Sequence, residues 1–331
     1  MRAPYPKAIG AALVGALLSI FLAPTTPQAV PRNQPPQRSS RGAGTEPLII
    51  NVTVTNKHGE FLTDLKQSDF NIFEDKALQP IVSFSRADEP LSIGLLIDAS
   101  ASMRSLQGNP KHTSAFVTEA LAKFFALSNR SNDYFVIGFN EESELLLDWT
   151  TDTQAVLKEL GSIEPKGQTA FFDACYLGID KLMHGRHSRR VLILVSDGID
   201  TVSHYSRSEV RRLLKESNVM VYSINVIGLG AAGSSLGPEG ENVLDELSIV
   251  SGGMAFSLRT GVRFDARQFG AIFELIAEEL RSQYAIGFLP AVADGDKNWH
   301  RIKVRMVAPS STPAMKGLLV RARDGYYVGH H

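Results

Sequence analysis

The stretch LSIGLLIDASASMRS (residues 91–105) changes character halfway along its length. Its first half, up to Ile97, is a continuous apolar run, which is typical of a β-strand covered on both faces. Directly after it, Asp98, Ser100 and Ser102 place oxygen-bearing side chains at alternate positions. In open α/β sheets, ligands bind beyond the carboxyl ends of the strands. The stretch therefore predicts a buried strand that ends in a small, oxygen-rich site.

The sequence around this stretch, over residues 89–282, alternates between strand and helix patterns. DYFVIGFN (133–140) and RVLILVSDG (190–198) have the apolar composition of buried strands. AFVTEALAKFFALS (115–128) and FDARQFGAIFELIAEELRSQ (264–283) carry apolar residues at helical spacing. Such alternation predicts an α/β domain, a doubly wound and mostly parallel sheet with helices on both faces.

The two flanks of this region, residues 47–88 and 283–331, have a different pattern of short period-two strands separated by turn residues. The first flank alone is too short to bury a good core. We therefore expect both flanks to form one β-sandwich-like domain into which the α/β domain is inserted. Two separate small β modules are the alternative.

The amino terminus resembles an export signal. Arg2 and Lys7 precede an apolar run, and small residues surround Ala29. A charged region, a short apolar region and a small-residue cleavage site predict a signal peptide over residues 1–29. A Pro- and Ser-rich linker is expected over residues 30–46. We thus expect a secreted or periplasmic protein with no stable membrane span after signal removal. An uncleaved anchor or a buried helix is the alternative.

The composition excludes some classes of function. The 331 residues carry a formal net charge of −1 and contain no strongly basic block, so nucleic-acid binding is unsupported. The single cysteine, Cys175, cannot form a disulfide within the chain. It lies in a helical pattern, which favours a small buried apolar residue over a reactive thiol.

Two further strand-to-helix connections present oxygens at the same predicted sheet edge. Thr169 begins a helix pattern after the loop KGQ, and Asp197 follows an apolar strand directly. Together with Asp98, Ser100 and Ser102 they form a set of two carboxylates and three hydroxyls. Such a set suits a small hard cation, Mg²⁺ with Mn²⁺ or Ca²⁺ as alternatives, and suits zinc or copper poorly. Taken separately, each segment is equally compatible with a helix cap or a turn.

These five residues resemble the metal-ion-dependent adhesion site of von Willebrand factor type A (VWFA) domains. That signature is Asp-x-Ser-x-Ser followed by a distant Thr and a distant Asp, and all five positions match in type and order. The flanks, including RARDGYYV (321–328), are also similar to VWFA-related proteins of acidobacteria, and integrin β chains show a similar insertion into a β-sandwich. Met103 and Arg104 stand where some integrin domains have acids that bind a second metal, so the resemblance does not extend to that second site.

The resemblance implies a non-enzymatic binding module for protein interaction or adhesion, in which an Asp or Glu of the partner completes the coordination of Mg²⁺. A structural component of an envelope or secreted assembly, with a purely stabilising metal, is the alternative. A hydrolase is a third hypothesis, but neither Ser100 nor Ser102 lies in a Gly-x-Ser-x-Gly turn. The glycine-rich segment over residues 228–240 is expected to be a surface loop. Asp173 is expected either to support the cluster or to lie on a helix surface.

Overall fold

The computed structural model describes residues 47–86, 89–104, 113–226, 237–258, 266–291, 296, 298–307 and 317–327. All of them belong to one compact unit, residues 42–331. The predicted signal peptide (1–29) and linker (30–46) lie outside the described residues.

The described residues form strands and helices in the alternation that the sequence predicts. In chain order the strands are β1 (Leu48–Thr55), β2 (Phe70–Glu74), β3 (Ala77–Gln79), β4 (Ile81–Arg86), β5 (Leu91–Asp98), β6 (Asp133–Phe139), β7 (Ser143–Thr150), β8 (Arg189–Ser196), β9 (Val219–Val226), β10 (Met254–Leu258), β11 (Tyr284–Phe288), β12 (Trp299–Met306), β13 (Leu319–Arg321) and β14 (Gly325–Tyr327). The α-helices are α1 (Thr113–Leu127), α2 (Thr153–Gly161), α3 (Phe171–Met183), α4 (Arg207–Glu216), α5 (Gly237–Ser251) and α6 (Ala266–Ser282).

A six-stranded sheet in the order β10-β9-β8-β5-β6-β7 forms the centre of the α/β region. Its strands are parallel except for β7, which runs antiparallel to β6. Every residue of β5 is buried, because helices cover both faces of the sheet. One face packs against α1, α2 and α6, and the other against α3, α4 and α5. This arrangement brings the carboxyl ends of β5 and β8 together at one edge.

Strands from the two flanks of the chain pair with each other in two four-stranded antiparallel sheets. One sheet has the order β13-β1-β11-β4 and the other the order β14-β12-β2-β3. Their inward side chains, including Ile50, Phe70, Tyr284 and Ile302, form a separate apolar core. The predicted fold class, an α/β domain with a mostly parallel sheet inserted into a β-sandwich-like domain, is confirmed.

A buried polar cluster joins the α/β region to the sandwich at the amino end of the parallel strands. Glu279 of α6, with no exposed surface, forms an ion pair with Arg321 of β13. Its Oε1 also accepts hydrogen bonds from the Tyr222 hydroxyl (2.6 Å) and the Thr53 hydroxyl (3.0 Å), while Oε2 has no hydrogen-bond partner among the described residues. Burial and the charge of Glu279 raise the pKa of Tyr222 well above its usual value.

Helix α5 begins earlier than the sequence suggests. A loop is expected from the sequence over residues 228–240, but residues 237–240 are already helical, and residues 228–236 lie outside the described residues. Proline is compatible with the first helical turn, where its missing N–H has no intrahelical partner to bond, and Pro238 lies in that turn. Cys175 is fully buried in α3, as predicted, and burial raises the pKa of its thiol. Among the described residues, no helix is both long enough and apolar enough to cross a membrane.

Candidate metal centre

Asp98 ends β5 and is almost completely buried, with 2% of its surface exposed. Its Oδ1 accepts a hydrogen bond from the backbone N–H of Ser100 at 2.8 Å. Its Oδ2 accepts a hydrogen bond from the hydroxyl of Ser196, the last residue of the neighbouring strand β8, at 2.6 Å. The carboxylate is therefore held between two strand ends.

Ser100 and Ser102 connect Asp98 to Asp197. The hydroxyl oxygens of the two serines lie 3.0 Å apart. Ser102 also forms a side-chain hydrogen bond with Asp197. Ser100 is buried and Ser102 is exposed, so the hydroxyl pair leads from the buried acid to the protein surface.

The Asp197 turn follows β8 directly. Asp197 is 4% exposed, and its Oδ1 accepts a hydrogen bond from the N–H of Ile199 at 3.1 Å. Gly198 has a φ of +76° and donates its N–H to the Ser196 hydroxyl at 3.0 Å. A Cβ on Gly198 would lie 2.4 Å from the carbonyl oxygen of Gly240 in the first turn of α5. Glycine at both positions lets the start of α5 touch this turn.

Thr169 reaches the same edge through backbone contacts. The N–H of Lys166 donates to Ala99 O at 2.7 Å, and the N–H of Thr201 donates to Thr169 O at 2.9 Å. These bonds tie the loop before α3 to the ends of β5 and β8. Thr169 is 6% exposed. Among the described residues, its side chain forms no hydrogen bond with the other four candidate residues.

Thr169 is not a helix cap. The N-cap of α3 is Ala170, which makes no side-chain cap hydrogen bond. Instead Asp200 Oδ1 accepts a hydrogen bond from the N–H of Phe171 at 2.9 Å. Helix capping therefore does not account for Thr169.

The turn interpretation accounts for only part of the geometry at Asp98 and Asp197. Each accepts a hydrogen bond from the backbone N–H two residues later, as Asp does in ordinary turns. Aspartates in turns are normally exposed, and complete burial of a carboxylate is rare unless it is paired. Turn formation does not require two such buried carboxylates at one edge.

The electrostatics of the two acids are unfavourable in the protein alone. Burial, followed by the nearby charge of Asp197, raises the pKa of Asp98 to about 7. Burial also raises the pKa of Asp197. Among the described residues, neither carboxylate forms an ion pair with Lys or Arg. A cation at this edge would favour the ionised form of both carboxylates and so oppose both shifts.

The donor set fits a hard divalent cation. Carboxylate and hydroxyl oxygens are ligands that Mg²⁺ and Ca²⁺ accept, while zinc and copper favour nitrogen and sulfur. Over the described part of the chain, no group of three or more His, Cys, Asp or Glu side chains is placed to hold a metal ion. The candidate set has two carboxylates, so any cation here would also depend on the hydroxyls.

Two residues that the sequence analysis did not select take part in this edge. Ser196 bonds Asp98 directly, and Asp200 caps α3. Both lie in the segment SDGID, so their closeness to Asp197 was the available signal. Asp173 lies at the surface of α3, one of the two expectations for it, and its carboxylate accepts hydrogen bonds from the N–H groups of His204 (2.9 Å) and Tyr205 (2.8 Å).

A groove of about 1130 Å³ lies beside the Asp98 loop. Its wall includes Ala99, Glu141 and Glu142 of the connection between β6 and β7, and Glu144 at the start of β7. Gly167, from the loop before α3, also lines it. The acidic side chains of the lining outnumber its one lysine, Lys166.

Residues 93–199 match the von Willebrand factor type A domain family. This segment contains β5, β8, the Asp98 loop and the Asp197 turn, and it is a von Willebrand factor type A (VWA) domain. The narrower resemblance to acidobacterial proteins stays a prediction.

The chain is also similar to several individual proteins. An uncharacterized protein of Borreliella burgdorferi is 24% identical over 138 residues, so the match spans 40% of each of the two chains. A von Willebrand factor type A structure from Catenulispora acidiphila is 11% identical, with a TM-score of 0.46 over 86% of this chain and 75% of that one. The PilB minor pilin from Streptococcus sanguinis is 12% identical, with a TM-score of 0.46 over 58% of this chain and 61% of that one.

Proposed function

We propose that this chain is an exported, non-enzymatic binding module that captures an Asp or Glu of a protein partner through Mg²⁺. The residues that would hold the cation are Asp98, Ser100, Ser102, Thr169 and Asp197. The observation that carries the proposal is the burial of Asp98 and Asp197 at one sheet edge without a cationic side chain among the described residues.

When bound, Mg²⁺ supplies two positive charges and can accept a further oxygen ligand. Asp98 and Asp197 balance that charge, so the site with its cation is nearly neutral. Ser102, the exposed member of the set, places its hydroxyl where a partner side chain can approach. The Ser196 hydroxyl, by donating to Asp98, favours the ionised form of that carboxylate and so partly opposes the effect of burial.

The charged side chains that line the groove bear on which partner side chains can bind beside the site. Without a cation, a partner carboxylate in the groove would lie near Glu141, Glu142 and Glu144, which repel it, and Lys166 is the one basic side chain of the lining. With the cation, the carboxylate has a favourable position, while the glutamates still repel other acids. We therefore propose that the partner presents a single acidic side chain at the cation.

The test is a calorimetric titration of the chain with Mg²⁺, Mn²⁺ and Ca²⁺. We expect saturable binding of one cation that Asp98→Ala removes. Asp173→Asn is the matched control, because Asp173 is a nearby acid that bonds a different loop. Loss of binding in Asp98→Ala, with binding retained in the control, supports the cation site.

The partner chemistry needs a second titration, with short peptides that present Asp or Glu and with their Asn or Gln equivalents. We expect only the acidic peptides to bind, and only when the cation is present. Cation binding with no such preference favours the structural alternative, in which the metal only stabilises the fold. No cation binding, even with acidic peptides present, contradicts the proposed function.

A further inference from the structure

Asn225 is a buried polar residue whose amide has no partner among the described residues. It lies near the end of β9 and is 1% exposed. Both its Nδ2 and its Oδ1 are buried without a hydrogen bond. A buried amide without a partner costs about 1–3 kcal/mol, and native proteins contain few of them. A buried amide at this position therefore needs a compensating role or an additional hydrogen-bond partner.

The strand register places Asn225 next to the candidate metal centre. Ser196 of β8 is the direct neighbour of Asn225 across the parallel pair β8–β9. On the other side of β8, Ile97 is the neighbour of Val195, which brings Asp98 level with Ser196. Asp98, Ser196 and Asn225 thus occupy one row across three adjacent strands, at the carboxyl end of the sheet.

These three side chains also share one face of the sheet. Successive residues of a strand point to opposite faces. Ser223, two residues before Asn225, hydrogen bonds Ser248 of α5 at 2.9 Å, so Asn225 lies on the α5 face. Leu96, two residues before Asp98, belongs to the apolar cluster on that same face. Ser196, which bonds Asp98, lies between them.

We infer that Asn225 is a positioning residue for the metal centre, which orients Ser196 through a buried water molecule. A buried water commonly satisfies polar groups that have no protein partner. The Ser196 hydroxyl already donates to Asp98 and accepts from Gly198, which leaves one lone pair for such a water. Asn225 then orients the hydroxyl that holds a proposed metal ligand.

This inference rests on the proposed function, since it assigns Asn225 to the cation at that same site. Residues that orient the ligands of a metal typically change its affinity about 10–100-fold when they are mutated. The unpartnered amide would otherwise only lower stability. Stability and cation affinity are therefore expected to respond differently to removal of the amide.

The test compares Asn225→Leu, which keeps the side-chain volume, with Asn225→Ala and with the control Ser223→Ala. Each variant is titrated with Mg²⁺ by calorimetry, and its thermal unfolding is followed in EDTA. We expect both Asn225 variants to bind Mg²⁺ about 10–100-fold more weakly. In EDTA, Asn225→Leu should unfold at nearly the same temperature as the unmodified chain, whereas Asn225→Ala should unfold at a lower temperature because it leaves a cavity. Ser223→Ala should lower the unfolding temperature and leave Mg²⁺ affinity unchanged, because its hydroxyl is already bonded to Ser248.

Unchanged Mg²⁺ affinity in both Asn225 variants overturns the inference and leaves the proposed function standing. An equal loss of affinity in Ser223→Ala also overturns it, since the effect would then belong to the whole face. If neither Asn225 variant folds in EDTA, the amide is needed for folding and not specifically for the metal centre, and the inference is overturned. If the unmodified chain binds no cation even with acidic peptides present, the proposed function fails first, and this inference fails with it.

Discussion

Asp98 and Asp197 are buried beside each other at the carboxyl end of the central sheet, and Glu279 is buried at its amino end. Glu279 is paired with Arg321, which reaches it from the sandwich. Asp98 and Asp197 have no such cation among the described residues, and burial raises the pKa of both. At one end of the sheet the chain supplies its own positive charge, whereas at the other end we propose that the solution supplies it.

The difference separates a structural contact from a binding site. Glu279 has its counter-charge within the folded chain, and it links α6 to the sandwich through Arg321 and Thr53. The charge of the aspartate pair can be neutralised by a proton or by a cation, so that end of the molecule responds to its surroundings. Three kinds of measurement test this difference between the two ends of the sheet.

The largest effect is expected from Arg321→Ala, which removes the internal cation. Leaving one member of a buried pair without its partner typically costs about 3–5 kcal/mol. We expect the free energy of unfolding, measured with urea, to fall by that amount. Lys303→Ala, on the exposed side of β12, is the control and should change it by less than about 0.5 kcal/mol.

A second variant shows that charge is the cause. Adding Glu279→Gln to Arg321→Ala removes the unpaired charge, so part of the lost stability should return. If Arg321→Ala costs no more than Lys303→Ala, then Glu279 does not depend on its ion pair and the contrast between the two ends is wrong.

A smaller effect is expected from pH in the absence of divalent cations. The pKa of Asp98 rises from 3.8 to about 7 in the folded chain. Between these values the folded state binds more protons than the unfolded state, so its stability decreases as pH rises. One pKa unit corresponds to about 1.4 kcal/mol, which gives an upper limit of about 4 kcal/mol between pH 4 and pH 7.

The measurement is urea unfolding in EDTA across that pH range, repeated with saturating Mg²⁺ and with Asp98→Asn. We expect the decrease to disappear with Mg²⁺ and to become smaller in the variant, where only Asp197 remains. A decrease of the same size in Asp98→Asn would show that it comes from other groups.

The smallest expected effect comes from a pair of glycines that both have positive φ. Gly59 has a φ of +83° with open space around it, while Gly198 has a φ of +76° and lies against Gly240 of α5. A left-handed backbone costs a residue with a Cβ about 1–2 kcal/mol, which both Ala variants incur. Gly198→Ala must also displace α5 or the Asp197 turn, so we expect a larger loss, about 2–3 kcal/mol.

Urea unfolding and Mg²⁺ titration of both variants check this expectation. Only Gly198→Ala should weaken cation binding, because only that residue touches the Asp197 turn. Equal effects of the two variants on affinity would mean that α5 does not support the site.

The elements that the sequence predicted well are those with local signals. The apolar run before Asp98 predicted β5, and the apolar run before Asp197 predicted β8. Because the carboxyl ends of parallel strands lie at one edge, the sequence predicted Ser102 and Asp197 at the same edge, and the pairing of β5 with β8 brings them into contact. Whether Thr169 joins them as a ligand stays a prediction.

The rest depends on contacts between residues that are far apart in the chain. Thr53 and Glu279 are 226 positions apart, and no local pattern marks either as a partner of the other. In the sequence, Asn225 is an ordinary polar residue in an apolar strand. Only the strand register shows that it lies next to Ser196. The strand pairing, and not the strand pattern, carries this information.

The pairing of β4 with β11 has a consequence for how such a chain can arise. Arg86, before the VWA domain, and Tyr284, after it, are direct neighbours across this antiparallel pair. Adjacent antiparallel strands are commonly joined by a loop of about two residues. The inserted domain therefore occupies the position of a hairpin loop, and none of the eight strands of the sandwich lies within it. A gene could gain or lose the whole domain at this one point without rearranging either sheet, so lineages with and without the insertion can share the same sandwich.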